Sequence, residues 1–120
     1  VIQVAVVGDP EAAFHAAKKG LAVLGIEPEL ESHVSKAGGV FIFFGDRKCK
    51  LSVVFNNVAD AASKMVDSAE IVIIGKGRLA EFTKRVAEIK GKQYVEGRGK
   101  DAVEKAKEKL VRFNLFGIKS

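Results

Sequence analysis

Apolar and polar positions fall into blocks along this chain, and the blocks change period. Val1–Val7 (VIQVAVV) is apolar on both faces except for Gln3. A short Val-rich run of this kind predicts a central strand, buried on both sides and parallel to its neighbours. Gly8 breaks it. Asp9-Pro10 then supplies a helix start, with Asp9 as N-cap and Pro10 at the first helical position. Ala13, Phe14, Ala17, Leu21 and Leu24 follow at helical spacing with Gly25 as C-cap, while Gly20 is a rival stop that would leave Leu21–Leu24 as strand. Leu30, Ser32 and Val34 alternate with Glu31, His33 and Ser35, the pattern of a half-exposed edge strand. The apolar runs Val40–Phe44 and Leu51–Phe55 flank the polar stretch Gly45–Lys50 and predict a hairpin.

The second half is more regular. Asn56-Asn57 caps a helix whose apolar side is Val58, Ala62, Met65, Val66 and Ala69. Ile71–Ile74 is an all-apolar strand, and the helix after it places Leu79, Phe82, Val86 and Ile89 on one face, with Glu81 and Arg85 spaced to pair. Gly91 ends that helix. Tyr94-Val95 forms a last strand, and Asp101 and Glu104 have capping-box spacing before Ala102, Ala106, Leu110 and Phe113. Residues 114–120 form a tail able to dock through Leu115, Phe116 and Ile118. The order β-α-β-β-β-α-β-α-β-α predicts a single α/β domain over residues 1–120. The expected form is a three-layer α/β/α sandwich with a mixed, mostly parallel sheet of five or six strands containing a central β-hairpin.

Composition adds a direction. The chain of 120 residues carries a formal charge of +5. Residues 1–60 hold six Lys/Arg against seven Asp/Glu, and residues 61–120 hold fourteen against eight. The positive half could attract phosphates, RNA or acidic partners, or could be a solvated Lys/Glu helix surface. Abundant Lys and Glu with scarce Asn, Gln, Met and Cys is a thermophile-like balance. No apolar run reaches the ~20 residues needed to span a bilayer, so no membrane is expected. The N-terminus lacks a signal-peptide pattern and Cys49 has no intrachain partner, which together lead to an expectation of a reduced, cytoplasmic location.

Candidate chemistry gathers where strands should run into helices. In open α/β sheets, ligands bind beyond the carboxyl ends of the parallel strands. Three segments belong there: Gly8-Asp9-Pro10, Gly75-Lys76-Gly77-Arg78 and Gly97-Arg98-Gly99-Lys100. The glycines let backbone approach a ligand, helix N-termini present free N–H groups, and the four cations add full charges. Neither loop is a P-loop, and neither carries the third glycine of a dinucleotide fingerprint. Asp9 reads either as the N-cap or as a Mg²⁺ partner beside a phosphate, with Asp46 or Asp60 as helpers in the second reading. His15 and His33 have no Cys/His cluster around them, so no metal site is expected. Cys49, between Lys48 and Lys50, reads as a hairpin cysteine or as an activated thiolate. Phe41, Phe43, Tyr94, Phe113 and Phe116 are the aromatics available for stacking on RNA, although no RNA-recognition signature is present.

Residues 40–112 loosely resemble the small domain family that carries nitrogenase iron–molybdenum cofactor precursors. The pattern is a hairpin, a helix, AEIVIIGKGRLAEF, then YVEGRGKDAVEKA before a last helix. The resemblance implies a ribonuclease-H-like mixed sheet. The family's His-Phe-Gly-Arg segment has no counterpart and Val1–Leu24 is not its usual start, so no functional residues are carried over. The function expected from the residues is binding of a small anionic, phosphate-bearing, nucleotide-like ligand by Asp9, Gly75–Arg78 and Gly97–Lys100, with catalysis and cofactor undetermined. An RNA-binding or protein-interaction module acting through the basic half is the alternative. Homo-oligomerisation through Leu30–Val34 or the tail also stays open.

Overall fold

The computed structural model describes residues 2–26, 40–44, 47–51 and 56–116, with backbone alone for 40–44, 47–51 and 112–116. The expected edge strand Leu30–Val34, His33, Asp46 and the tail beyond Phe116 lie outside the described residues. So do the side-chain roles considered for Phe41, Phe43, Cys49, Phe113 and Phe116.

The protein is α/β, with four parallel strands and four helices among the described residues. In chain order the elements are β1 (Ile2–Val7), α1 (Pro10–Lys18), β2 (Ala22–Ile26), β3 (Val40–Phe44) and β4 (Arg47–Leu51), then α2 (Val58–Ser68), β5 (Ala69–Ile74), α3 (Arg78–Lys90), β6 (Tyr94–Glu96) and α4 (Gly99–Phe116). The strands lie in the order β4-β3-β2-β1-β5-β6. β1 pairs parallel with β2 and with β5, and β5 pairs parallel with β6. β3 joins β2 antiparallel, and β4 pairs antiparallel with β3.

Burial on both faces is what the VAVV and IVII runs predict, and the side chains divide by parity. Ala5, Val7, Val72 and Ile74 pack with Ala61, Met65 and Val66 of α2 and with Leu79, Ala80 and Ala87 of α3. Val4, Val6, Ile71 and Ile73 pack on the other side with α1 and α4. There α1 contributes Ala12, Ala13, Ala16 and Ala17, and α4 contributes Ala102 and Ala106. Small side chains let both helices lie close to the sheet. The one polar residue in β1 also has a structural use, because Gln3 Oε1 accepts from Ala22 N–H at 2.9 Å and ties the start of β2 to β1.

Four local expectations change. α1 ends at Lys18, not Leu24, because Gly20 turns the chain with φ of +87°. Residues 22–26 then pair with β1 as a strand, so the rival stop was the correct one. The second strand of the antiparallel pair is the polar run RKCKL, with Arg47 opposite Phe44. It lies at the sheet edge, where charged residues are tolerated because one side needs no partner. On α3 the buried stripe is Leu79, Ala80, Thr83 and Ala87, while Phe82 and Ile89 are exposed and Glu81 and Arg85 form no ion pair. The buried Thr83 hydroxyl is satisfied by donating to Leu79 C=O at 2.6 Å. Finally, α4 starts at Gly99, and Glu104 pairs with Lys19 at 3.0 Å instead of closing a capping box.

The expected caps of α1 and α2 are present. Asn57 Oδ1 accepts from Asp60 N–H at 2.8 Å, and Asp60 Oδ2 accepts from Asn56 N–H at 2.9 Å. The Asn56 N–H, helped by Lys64, holds the Asp60 carboxyl below its ordinary value. A depressed folded-state pKa stabilises above the unfolded pKa, and this contribution is lost as pH falls through the folded value. Unfolding followed by circular dichroism should therefore show the wild type more stable than Asp60→Asn near neutral pH, with the wild type losing that advantage as the pH falls. The difference between the two stabilities should shrink below the carboxylate range, and a pH-independent difference would exclude this link.

Candidate functional site

The three expected segments meet. β1 leads into α1 on one face of the sheet, whereas its neighbour β5 leads into α3 on the other. Adjacent strands whose helices diverge create the switch point at which α/β proteins bind ligands. Here the two loops close on each other. Gly75 N–H donates to Val7 C=O at 2.8 Å, and Lys76 N–H donates to Gly8 C=O at 3.1 Å. A Cβ at Gly8 would lie 2.2 Å from Lys76 O, and one at Gly75 would lie 2.4 Å from Gly8 O. Only glycine permits that contact, and Gly8 also has φ of +81°.

The third segment is fastened by Asp9. Its Oδ1 accepts from Ala12 N–H at 3.1 Å, the expected N-cap bond of α1. Its Oδ2 accepts from Gly99 N–H at 2.8 Å, across 90 residues of sequence. Asp9 therefore caps its own helix and also the start of α4. Glu11 comes close as well, with Oε1 only 2.7 Å from where a Gly99 Cβ would stand. This carboxylate-to-loop link was not readable from spacing, since no local motif joins residue 9 to residue 99.

The two Gly-basic loops are thus different electrostatically. At α4 the first N–H group already has a carboxylate partner. At α3 the N-cap is Gly77, with φ of +115° and no side-chain cap. The first N–H groups of α3 therefore have no side-chain cap, and Glu81 is the acidic residue of its first turn. Lys76, Arg78, Arg98 and Lys100 are all exposed, and their side chains make no ion pair or hydrogen bond with a described residue, although Lys100 adds to the positive field that lowers the Glu104 carboxyl. Three other lysines are held in ion pairs: Lys84 with Glu96 at 3.0 Å, Lys90 with Asp67 at 2.8 Å and Lys64 with Asp60 at 3.2 Å. Phe82, one helical turn beyond Arg78, is 36% exposed, and the sequence pattern had assigned it to the core. Among the described residues no group of three or more His, Cys, Asp or Glu is placed to hold a metal ion. No described helix is long and apolar enough to cross a membrane.

In the sheet, β2 and β1 stand between the β3–β4 pair and the β5–β6 pair. The two antiparallel strands are therefore separated from β5 and β6 by the N-terminal unit. No protein-family model, no curated protein and no solved structure matches this chain.

Proposed function

We propose that this protein, read as a three-layer α/β/α sandwich with a mixed sheet, binds a small phosphate-bearing, nucleotide-like anion above the β1–β5 switch point. The observation that carries this reading is the convergence of two Gly-basic loops on Gly8-Asp9 with four cations left unpaired. The phosphate is assigned to the uncapped N-terminus of α3, between Gly75 and Arg78. Lys76 and Arg78 supply charge from the near side, and Arg98 and Lys100 from the adjoining loop. Asp9 serves as the positioning residue that holds Gly97–Lys100 in place, and Phe82 offers a face for a base near Arg78.

Thermal unfolding with inorganic phosphate, pyrophosphate and a nucleotide panel tests the reading. A ligand at a hundred times its Kd contributes about 2.7 kcal/mol, roughly 10 °C in Tm for a domain of this size. The Lys76→Ala/Arg78→Ala variant should lose most of that shift, and Arg98→Ala/Lys100→Ala a smaller part. A shift unchanged in both variants removes these loops from the site. The alternative of RNA binding draws on the outward exposure of the same four cations. An RNA whose affinity falls steeply with salt, without any nucleotide shift, would select it.

A further inference from the structure

A groove of about 550 Å³ runs along the free edge of β6, lined by Lys92, Tyr94, Glu96, Lys105, Glu108 and Lys109 among others. It is separate from the switch point. Among the described residues β6 ends the sheet, and one side of its backbone has no strand partner there. Val72 N–H donates to Gln93 C=O, which turns Gln93 and Val95 towards β5 and Tyr94 and Glu96 outwards. The outward carbonyls are met only by lysines of α4: Lys109 Nζ stands 3.4 Å from Tyr94 O, and Lys105 Nζ stands 3.5 Å from Glu96 O. The outward N–H groups of Tyr94 and Glu96 have no acceptor among the described residues.

Charge and spacing define what fits. Glu96 is neutralised by Lys84, which lies outside the groove. Lys92, Lys105 and Lys109 then face Glu108 alone, and the groove is positive. Lys105 and Lys109 are four residues apart on a helix, about 6 Å along its axis. Alternate residues of a strand are spaced by about 6.6 Å. That match lets the two lysines reach carbonyls two residues apart on β6, and it would equally let them reach two same-face side chains of an added strand. We propose that the β6 edge docks an extended segment of a partner protein, paired to the Tyr94 and Glu96 backbone. Carboxylates at alternate positions of that segment draw Lys105 and Lys109 off the carbonyls. A neutral carbonyl at 3.4–3.5 Å is a weak acceptor for an ammonium, and a carboxylate is a stronger one.

The probe is a capped eight-residue peptide alternating glutamate with valine, added to the full chain. Binding should slow amide exchange at Tyr94 and Glu96. Lys105→Glu/Lys109→Glu should weaken it about tenfold, and Lys105→Gln/Lys109→Gln should give a smaller loss. Both lysines are exposed, so the variants should keep the native amide spectrum outside β6 and α4. The same peptide with lysine for glutamate should not bind. No protection at Tyr94 and Glu96, equal affinity in the charge-reversed variant, or full affinity when proline replaces the central peptide residue would each overturn the proposal. Self-association of the chain that buries the same two amides without peptide would also overturn it, by assigning the edge to a second copy.

Discussion

Gly8→Ala is expected to destabilise the fold by on the order of 3–5 kcal/mol, enough to remove most of the stability of a domain this size. Two costs combine. The residue has φ of +81°, where an L side chain is strained. The added methyl would also stand 2.2 Å from Lys76 O and 2.7 Å from Lys76 N, both backbone atoms of the β5–α3 loop. Neither atom belongs to a flexible side chain, so relief requires separating β1 from the end of β5. Gly20→Ala is the matched control: φ is +87°, yet nothing lies within 4 Å of its Cβ position. It should cost only about 1 kcal/mol, the backbone part alone. Urea unfolding of the two variants separates the terms. Equal losses would mean that the close approach of the two loops contributes nothing, and the switch-point geometry would then need to be redrawn.

Asp9→Ala should cost about 3 kcal/mol, more than an ordinary lost N-cap. The bond to Ala12 N–H accounts for about 1 kcal/mol. The bond to Gly99 N–H is charge-assisted and adds roughly 1.5–3 kcal/mol. Asp9→Asn retains one amide oxygen and should fall between wild type and alanine. Hydrogen exchange supplies the local check: the Gly99 amide should lose protection in Asp9→Ala, while the amides of Val72 and Ile73 in the core of β5 follow global stability. An unchanged Gly99 amide would show that Asp9 caps only α1. The ligand reading depends on the same bond, since a released 97–100 loop would carry Arg98 and Lys100 away from Gly75–Arg78.

The legible parts of this protein are those governed by local physics. The runs ending at Val7 and Ile74 announce strands buried on both faces because only Gln3 interrupts the first and no polar residue interrupts Ile71–Ile74. The caps at Asp9 and Asn57 follow from short polar side chains reaching their own helix N–H groups, and Gly91 stops α3 with φ of +71°. The stretch 21–26 was ambiguous for a physical reason. Leu21 and Leu24 satisfy a helical spacing as well as a strand run, and pairing with β1 decides between them. Arg47–Leu51 looks like a loop by polarity and becomes a strand because an edge position tolerates it.

The candidate site divides in the same way. The sequence by itself determined the residue types at the carboxyl ends of β1, β5 and β6, namely glycines with Lys76, Arg78, Arg98 and Lys100 beside them. It also determined that each stretch opens a helix. Tertiary structure decided which of those ends adjoin and how. Sheet order places β5 against β1, glycine backbones close the gap between them, and the carboxylate of Asp9 reaches Gly99. Period and capping are set within a few residues, whereas contacts across 68 or 90 positions exist only once the sheet has chosen its neighbours.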